Sequence, residues 1–311
     1  MTTHGTGSKR VCITGGEGFL GKYLVKKFRD KGYKVSVPVR EYFDLRDRKR
    51  VDIMYASLRP DIVINVAAVC GGIQACSANP GKFLYDNLVM GLEMLDSARK
   101  HGIEKFVQIG SVCSYPLQVE IPAQECDLWN GYPEVTNAPY GIAKRVLIEQ
   151  VKAYRKQYGM DAIGLIPVNM YGPGDSFAPE KSHAVSSLIR KSIEAKKNKS
   201  KLVVWGTGKV TREFLYVEDC ADAIVMATEQ YNDSEPVNIG TGVETSISRL
   251  VRIVTEAVGF TGEIVWDASK PEGQPRRLFD VSRAEKEFGF KAKIGLEEGV
   301  KNTVEWYQRT Q

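Results

Sequence analysis

The sequence predicts an α/β protein: a doubly wound parallel sheet with a smaller, mixed α/β lobe. Three observations predict it. Short aliphatic segments alternate with amphipathic helical ones through the first half of the chain, the pattern of right-handed βαβ units. The segments 61–66 and 106–110 are almost unbroken in apolar residues, as strands buried on both faces require. Gly15-x-x-Gly18-x-x-Gly21 stands between the first such strand and the first helix, where a Rossmann-type sheet turns tightly.

The elements follow in order. Residues 10–14 form a short apolar strand, and an amphipathic helix runs from the glycine turn to about Lys31, where Gly32 stops it. Strand 34–39, helix 47–58, strand 61–66, helix 83–100, strand 104–109, helix 140–158 and strand 162–167 continue the alternation. Beyond Asn169 the rhythm loosens, with helices expected over 182–197, 217–230, 248–258 and 296–308 and strands over 202–205, 237–240 and 264–266. The expected domains are 9–168 plus about 213–240, and 169–212 plus 241–311.

Composition narrows the function. A chain of 311 residues, 43% hydrophobic, has ample core for one large or two moderate domains. The net charge is +5, but the densest basic stretch, 46–50, is interrupted by Asp47, so nucleic-acid binding is not suggested. No apolar run approaches membrane-spanning length. The tail 1–8 lacks the apolar stretch of a secretory leader and reads as flexible. The six cysteines are scattered without a Cys-x-x-Cys pair, so neither a metal site nor a disulfide framework is expected, and a reducing cytoplasm fits.

The glycines imply a phosphate ligand. Without side chains at Gly15, Gly18 and Gly21, backbone N–H groups can approach a pyrophosphate at the positive end of the first helix, with Glu17, Phe19 and Leu20 in the same turn. An acid at the end of the second strand, about 20 residues on, would bind a ribose 2′-hydroxyl. Here Val39 and Arg40 stand there, followed by Glu41. A guanidinium favours a 2′-phosphate, so the expected cofactor is NADP(H) rather than NAD(H), although Glu17 opposes this electrostatically.

Tyr140 and Lys144 add proton chemistry. A phenol with a pKa of about 10 is a slow proton donor near neutrality, and an ammonium one helical turn away is expected to lower that pKa. Ser111, at the end of an apolar strand, can hold a carbonyl oxygen, and together the three can protonate an alkoxide as hydride arrives at its carbon. Tyr23 and Lys27 have the same spacing, but they lie inside the first helix without the serine strand.

Further motifs carry a resemblance. They are Gly71-Gly72-Ile73, Gly110-Ser111-Val112-Cys113-Ser114-Tyr115-Pro116, Asn137-Ala138-Pro139-Tyr140-Gly141-Ile142-Ala143-Lys144, Pro167-Val168-Asn169-Met170-Tyr171-Gly172-Pro173, Ser182-His183, Val204-Trp205-Gly206-Thr207-Gly208, Arg212-Glu213-Phe214-Leu215 and the stretch 270–277. In this order the chain resembles the extended short-chain dehydrogenase/reductases and, within them, the GDP-L-fucose synthase family, from Val11 to Trp306.

That resemblance implies epimerisation of GDP-4-keto-6-deoxy-mannose at C3 and C5, then reduction of C4 by NADPH. It implies that Ser111, Tyr140 and Lys144 perform the reduction and that Cys113 and His183 are the acid/base pair. A 4-ketone acidifies both neighbouring C–H bonds, and epimerisation needs a base on one face and an acid on the other. The resemblance further places Asn65, Ala67, Ala68, Pro167, Asn169, Met170, Lys144 and His183 along the cofactor. It places Lys191, Trp205, Arg212 and Asp280 on the nucleotide-sugar, with Asp280 on a ribose hydroxyl or a guanine N–H edge. A homodimer through the helices after the serine strand and the Tyr140 helix is also implied. The chain departs from the family at 174–178, at Glu17 and at Ser114. Two alternatives are a related nucleotide-sugar 4-ketoreductase or epimerase and a non-catalytic dinucleotide sensor. Retention of Cys113 with His183 weighs against the first, and the intact Ser111, Tyr140 and Lys144 against the second.

Overall fold

Residues 9–179, 182–270 and 273–311 are described by a computed structural model. The tail expected at 1–8, and Pro271-Glu272 of the motif at 270–277, lie outside the described residues.

The first half alternates as its apolar pattern demands: β1 (Arg10–Thr14), α1 (Phe19–Asp30), β2 (Lys34–Ser36), α2 (Arg48–Leu58), β3 (Ile62–Asn65), α3 (Ile73–Ala78), α4 (Pro80–Lys100), β4 (Lys105–Ile109), α5 (Ala138–Tyr158) and β5 (Ala162–Pro167). Its boundaries have local causes. β2 ends at Ser36 rather than Val39, and Pro38 just beyond it has no N–H for a ladder. Asp47 is not helical but caps α2, accepting the N–H groups of Lys49 and Arg50. α4 and α5 start earlier than their apolar periodicity suggests, because each carries a proline in its first turn.

The second half is finer-grained: β6 (Asn169–Tyr171), α6 (Ala184–Asn198), β7 (Leu202–Trp205), β8 (Thr211–Arg212), β9 (Phe214–Tyr216), α7 (Val217–Gln230), β10 (Val237–Ile239), β11 (Thr245–Ser246), α8 (Ile247–Val258), β12 (Ile264–Asp267), α9 (Ser282–Phe288) and α10 (Leu296–Arg309). The sequence pattern did not indicate β6, β8, β9, β11, α3 or α9. Strands of two or three residues are shorter than one readable period of alternation.

Six parallel strands form the sheet in the order β10-β5-β4-β3-β1-β2. Its order reverses at β1, so the connections leaving the paired strands β1 and β3 part and leave a crevice at their carboxyl ends, where open α/β sheets bind ligands. Leu20, Leu24 and Phe28 of α1 join Ile224 and Ala227 of α7 in one buried cluster over the sheet. Met54, Tyr55, Met94 and Leu95 of α2 and α4 fill another. Phe279, Ala284, Phe288 and Phe290, from the segment expected in the smaller lobe, share the α1–α7 cluster.

The smaller lobe has its own core. Val185, Ile189, Leu250, Val254, Val300 and Val304 bring α6, α8 and α10 together against β7 and β9. Each such side chain contributes about 1.5–3 kcal/mol by leaving water.

Candidate active site

The crevice begins at the glycine turn. Gly15 has φ +67°, a left-handed conformation, and a Cβ built on Gly21 would stand 2.0 Å from the Gly15 carbonyl oxygen. α1 therefore starts directly on the turn. Gly18 is its N-cap, no side chain caps it, and its first turn holds no acid. A cradle that excludes side chains, set at a positive helix end, fits a dinucleotide pyrophosphate. Phe19 is part-buried, and Leu20 is 4% exposed with its side chain in the core, so Leu20 can offer a ligand only its backbone. Glu17 and Arg40 are both exposed, at the turn and just beyond β2.

Asn65 is differently employed. Its buried amide accepts from Thr14 Oγ1 at 2.8 Å and donates to Gln108 at 3.0 Å, tying β1, β3 and β4 together at their ends. Thr14 Oγ1 also accepts the Ala67 N–H at 3.2 Å, holding the Ala67–Ala68 stretch against the glycine turn.

Ser111, Cys113, Tyr140 and Lys144 meet where β4 ends and α5 begins. Ser111 caps a short 3-10 turn, accepting the Cys113 N–H at 3.2 Å. Gly141 makes the junction: a Cβ there would lie 2.1 Å from the Cys113 carbonyl oxygen, so only glycine lets α5 rest on the thiol's own backbone. Ser111 hydrogen-bonds the Tyr140 side chain, and Phe83 of α4 packs edge-on with that ring at 6.5 Å. Lys144 is 2% exposed and donates to the Ile109 carbonyl at 2.9 Å.

The electrostatics here correct one expectation. The Tyr140 phenol is not lowered. Burial pushes that phenol well above its usual range, nearby Cys70 and Cys113 add to the effect, and the Ser111 hydrogen bond only opposes it. The Lys144 ammonium is directed at Ile109 and lies 5.9 Å from the Tyr140 ring centroid. Burial lowers Lys144 itself to about 8. Tyr140 is thereby held as the protonated phenol, the form that donates.

His183 stands at the start of α6 in the smaller lobe. It is the N-cap of α6, exposed, and its side chain makes no capping hydrogen bond. The loop after β3 approaches it, with a Cβ on Gly72 falling 3.5 Å from the Ser182 carbonyl oxygen. That loop also carries Cys70, which interacts electrostatically with Tyr140 and Lys144. Ser182, just before His183, thus borders the loop whose Cys70 acts on Tyr140.

Asn169 and Met170 lie in β6, paired with Phe214 and Leu215 of β9, and Pro167 ends β5 beside Ile239. The Asn169 amide donates to the Glu213 carbonyl at 3.0 Å. Glu213, not singled out as a site residue by sequence, is fully buried, and its carboxylate accepts the N–H groups of Thr241, Gly242 and Phe279 at 2.6, 2.8 and 3.1 Å. It locks together three segments that border the crevice.

The nucleotide-sugar candidates fall into groups. Lys191 Nζ lies 5.4 Å from the Trp205 ring centroid, and Lys270 Nζ lies 5.9 Å from the same ring. Lys270 was not foreseen, because 65 residues separate it from its indole partner. Arg212 donates to the carbonyls of Thr211 and Gln274 at 2.7 and 2.6 Å. Asp280 accepts the Ser282 N–H at 2.9 Å, and hydrogen bonds from Ser282 hold its carboxyl below the usual range. It thus also serves the start of α9.

One cavity, about 410 Å³, lies elsewhere. Arg10, Tyr55, Arg59, Asp61, His101 and Glu104 line it at the amino ends of β1, β3 and β4. That edge is opposite the one where such sheets bind ligands. Among the described residues no cluster of His, Cys, Asp and Glu could hold a metal ion, and no helix is long and apolar enough to cross a membrane.

The profile of the NAD dependent epimerase/dehydratase family matches residues 11–240, which span the whole parallel sheet. The chain belongs to the NAD dependent epimerase/dehydratase family. Its relatives within that family are consistent. A putative GDP-L-fucose synthase 2 of Arabidopsis thaliana is 40% identical over 302 residues, covering 96% of this chain and 92% of the relative. A probable GDP-L-fucose synthase 1 of Oryza sativa subsp. japonica is 41% identical over 301 residues, with the same coverage. A solved GDP-L-fucose synthetase from Naegleria fowleri, bound to NADP, superposes with a TM-score of 0.88 at 28% identity and covers 100% of this chain and 96% of its own. This member of the NAD dependent epimerase/dehydratase family is an enzyme.

Proposed function

We propose that the chain is a GDP-L-fucose synthase, epimerising C3 and C5 of GDP-4-keto-6-deoxy-mannose and reducing C4 with NADPH. The observation that carries this reading is the Cys113 thiol beside the Tyr140 phenol, in a chain at about 40% identity to GDP-L-fucose synthases throughout its length. A plain ketoreductase needs the serine, phenol and lysine. A thiol held two residues from that serine gives the same site a second proton-carrying group.

Cys113 and His183 exchange protons at C3 and C5. At each carbon a C–H bond breaks toward the base, its electron pair moves into the C4 carbonyl oxygen, and the acid returns a proton to the opposite face. The cofactor, when bound, supplies hydride to C4. Ser111 holds the C4 oxygen, and the Tyr140 phenol gives that oxygen its proton. Lys144 fixes the corner by its bond to Ile109, and in this reading it also binds the cofactor ribose. Gly15, Gly18 and Gly21 receive the pyrophosphate, and Arg40 takes a 2′-phosphate. Lys191, Trp205, Arg212 and Asp280 hold the nucleotide-sugar, with arginine suited to the diphosphate by its planar fork. A homodimer through α4 and α5 is part of the same reading, supported by the exposed Leu84 and Tyr85 on α4 and Tyr158 at the end of α5.

Purified protein incubated with NADPH and GDP-4-keto-6-deoxy-mannose should yield GDP-L-fucose, with kcat/KM for NADPH at least about tenfold above that for NADH, a difference of about 1.4 kcal/mol. Recovery of a sugar reduced at C4 but not inverted at C3 and C5 would reduce the reading to a 4-ketoreductase.

A further inference from the structure

Glu213 ties together two of the residues given to the nucleotide-sugar without being one of them. It is 0% exposed and directly follows the part-buried Arg212. Its Oε1 accepts the N–H groups of Thr241 and Gly242, and its Oε2 accepts the N–H of Phe279, the residue before Asp280. Gly240 makes room for the carboxylate, since a Cβ there would collide with Oε1.

The two stretches are each anchored on their far side. The Arg212 guanidinium donates to the Thr211 and Gln274 carbonyls, and its backbone pairs with Thr245 of β11. Asp280 gives its N–H to the Ala123 carbonyl at 2.9 Å. The Glu213 carboxylate links the two directly and so sets the distance between them. Filling space would not call for a charge here. Taking a carboxylate out of water is costly, and an apolar side chain would fill the volume at less cost. What the carboxylate adds is an acceptor at both oxygens, able to hold N–H groups from two segments at once.

We propose that Glu213 is a positioning residue for nucleotide-sugar binding, its carboxylate fixing the span between Arg212 and Asp280 so that the guanidinium meets the diphosphate while Asp280 meets the nucleoside. This rests on the roles given to Arg212 and Asp280 above. The side chain acts on how tightly the nucleotide-sugar is held and not on the transfer of hydride or protons.

The test uses the full chain. Glu213→Gln keeps the shape. With its amide oxygen in the place of Oε1, its NH₂ faces the Phe279 N–H, donor against donor, and the Asp280 stretch loosens. KM for GDP-4-keto-6-deoxy-mannose should rise about tenfold, while kcat and KM for NADPH stay within about twofold. In an Asp280→Asn background the same change should add little, because both act through one contact. Amide hydrogen exchange on wild-type protein gives a reading that needs no variant: saturating GDP should slow exchange at Thr241, Gly242 and Phe279, and NADPH alone should not. Equal losses in both KM values, a multiplicative loss in the double variant, or amides indifferent to GDP would each overturn the assignment. If Arg212→Ala and Asp280→Asn left KM for the sugar nucleotide unchanged, the nucleotide-sugar site of the proposed function would fail. If they raised it and Glu213→Gln did not, only the role of Glu213 would fail.

Discussion

The two corners of the crevice are built on different physical terms. The Ser111–Tyr140–Lys144 corner belongs to one lobe and is largely complete in itself. Lys144 is 2% exposed and bonded to Ile109, and Gly141 seats α5 on the Cys113 carbonyl. The proposed epimerisation pair, Cys113 and His183, comes from both lobes. Cys113 stands on the end of a parallel strand region, whereas His183 caps a helix of the smaller lobe with an exposed, uncapping side chain. In the proposed reaction, reduction would draw on the rigidity of the sheet, and epimerisation on how the second lobe sets one helix end. Changes at Tyr140 should abolish reduction and spare proton exchange at carbon, and changes at Cys113 or His183 should do the reverse.

The largest expected effect is in the rigid corner. Tyr140→Phe removes the proton given to the C4 oxygen and should lower NADPH oxidation by about 10²–10⁴-fold. Deuterium entry into the ketone should persist, and its loss in equal measure would merge the two corners into one.

Lys144 gives a second measure of that burial. Its folded-state pKa is lowered by desolvation to about 8. A lowered lysine makes the unfolded chain bind more protons between about pH 8 and 10.5, so its contribution to stability rises across that window and is unfavourable below it. Against a Lys144→Met variant, wild-type protein should gain up to about 3 kcal/mol of unfolding free energy from pH 8 to 10.5. Denaturant midpoints taken across that range report it, and parallel curves for the two proteins would mean that the ammonium is well solvated.

The smallest effect sharpens the division between the corners. Cys113→Ser keeps the backbone seat under Gly141 and should slow deuterium entry at C3 and C5 by about tenfold or more beyond any slowing of reduction of a pre-epimerised ketone. Equal slowing of both would give Cys113 a part in the reduction.

The same contrast marks what the sequence reveals. β1, β3, β4 and β5 carry nearly unbroken apolar runs, and α5 a long periodic one, so the sheet and the Tyr140 helix are legible from periodicity. The glycine turn is legible because its spacing has a steric cause. The remainder rests on contacts between distant residues, which leave no period. Gly141 against Cys113, Lys144 on Ile109, and the Asn65 amide bridging Thr14 and Gln108 are of this kind. Burial likewise reversed the expected influence on Tyr140, since one-turn spacing places an ammonium on the same helix face but does not say what it bonds to. In the smaller lobe, two-residue strands such as β8 and β11 exist only by pairing with each other, and Glu213 matters only because three backbone segments converge on it.

The central claim is that one crevice inverts two carbons before reducing a third. The most direct measurement runs the complete reaction with NADPH in D₂O and locates deuterium in the product by NMR. The account predicts GDP-L-fucose carrying solvent deuterium at both C3 and C5. A reduced product with no solvent deuterium at either carbon would contradict it.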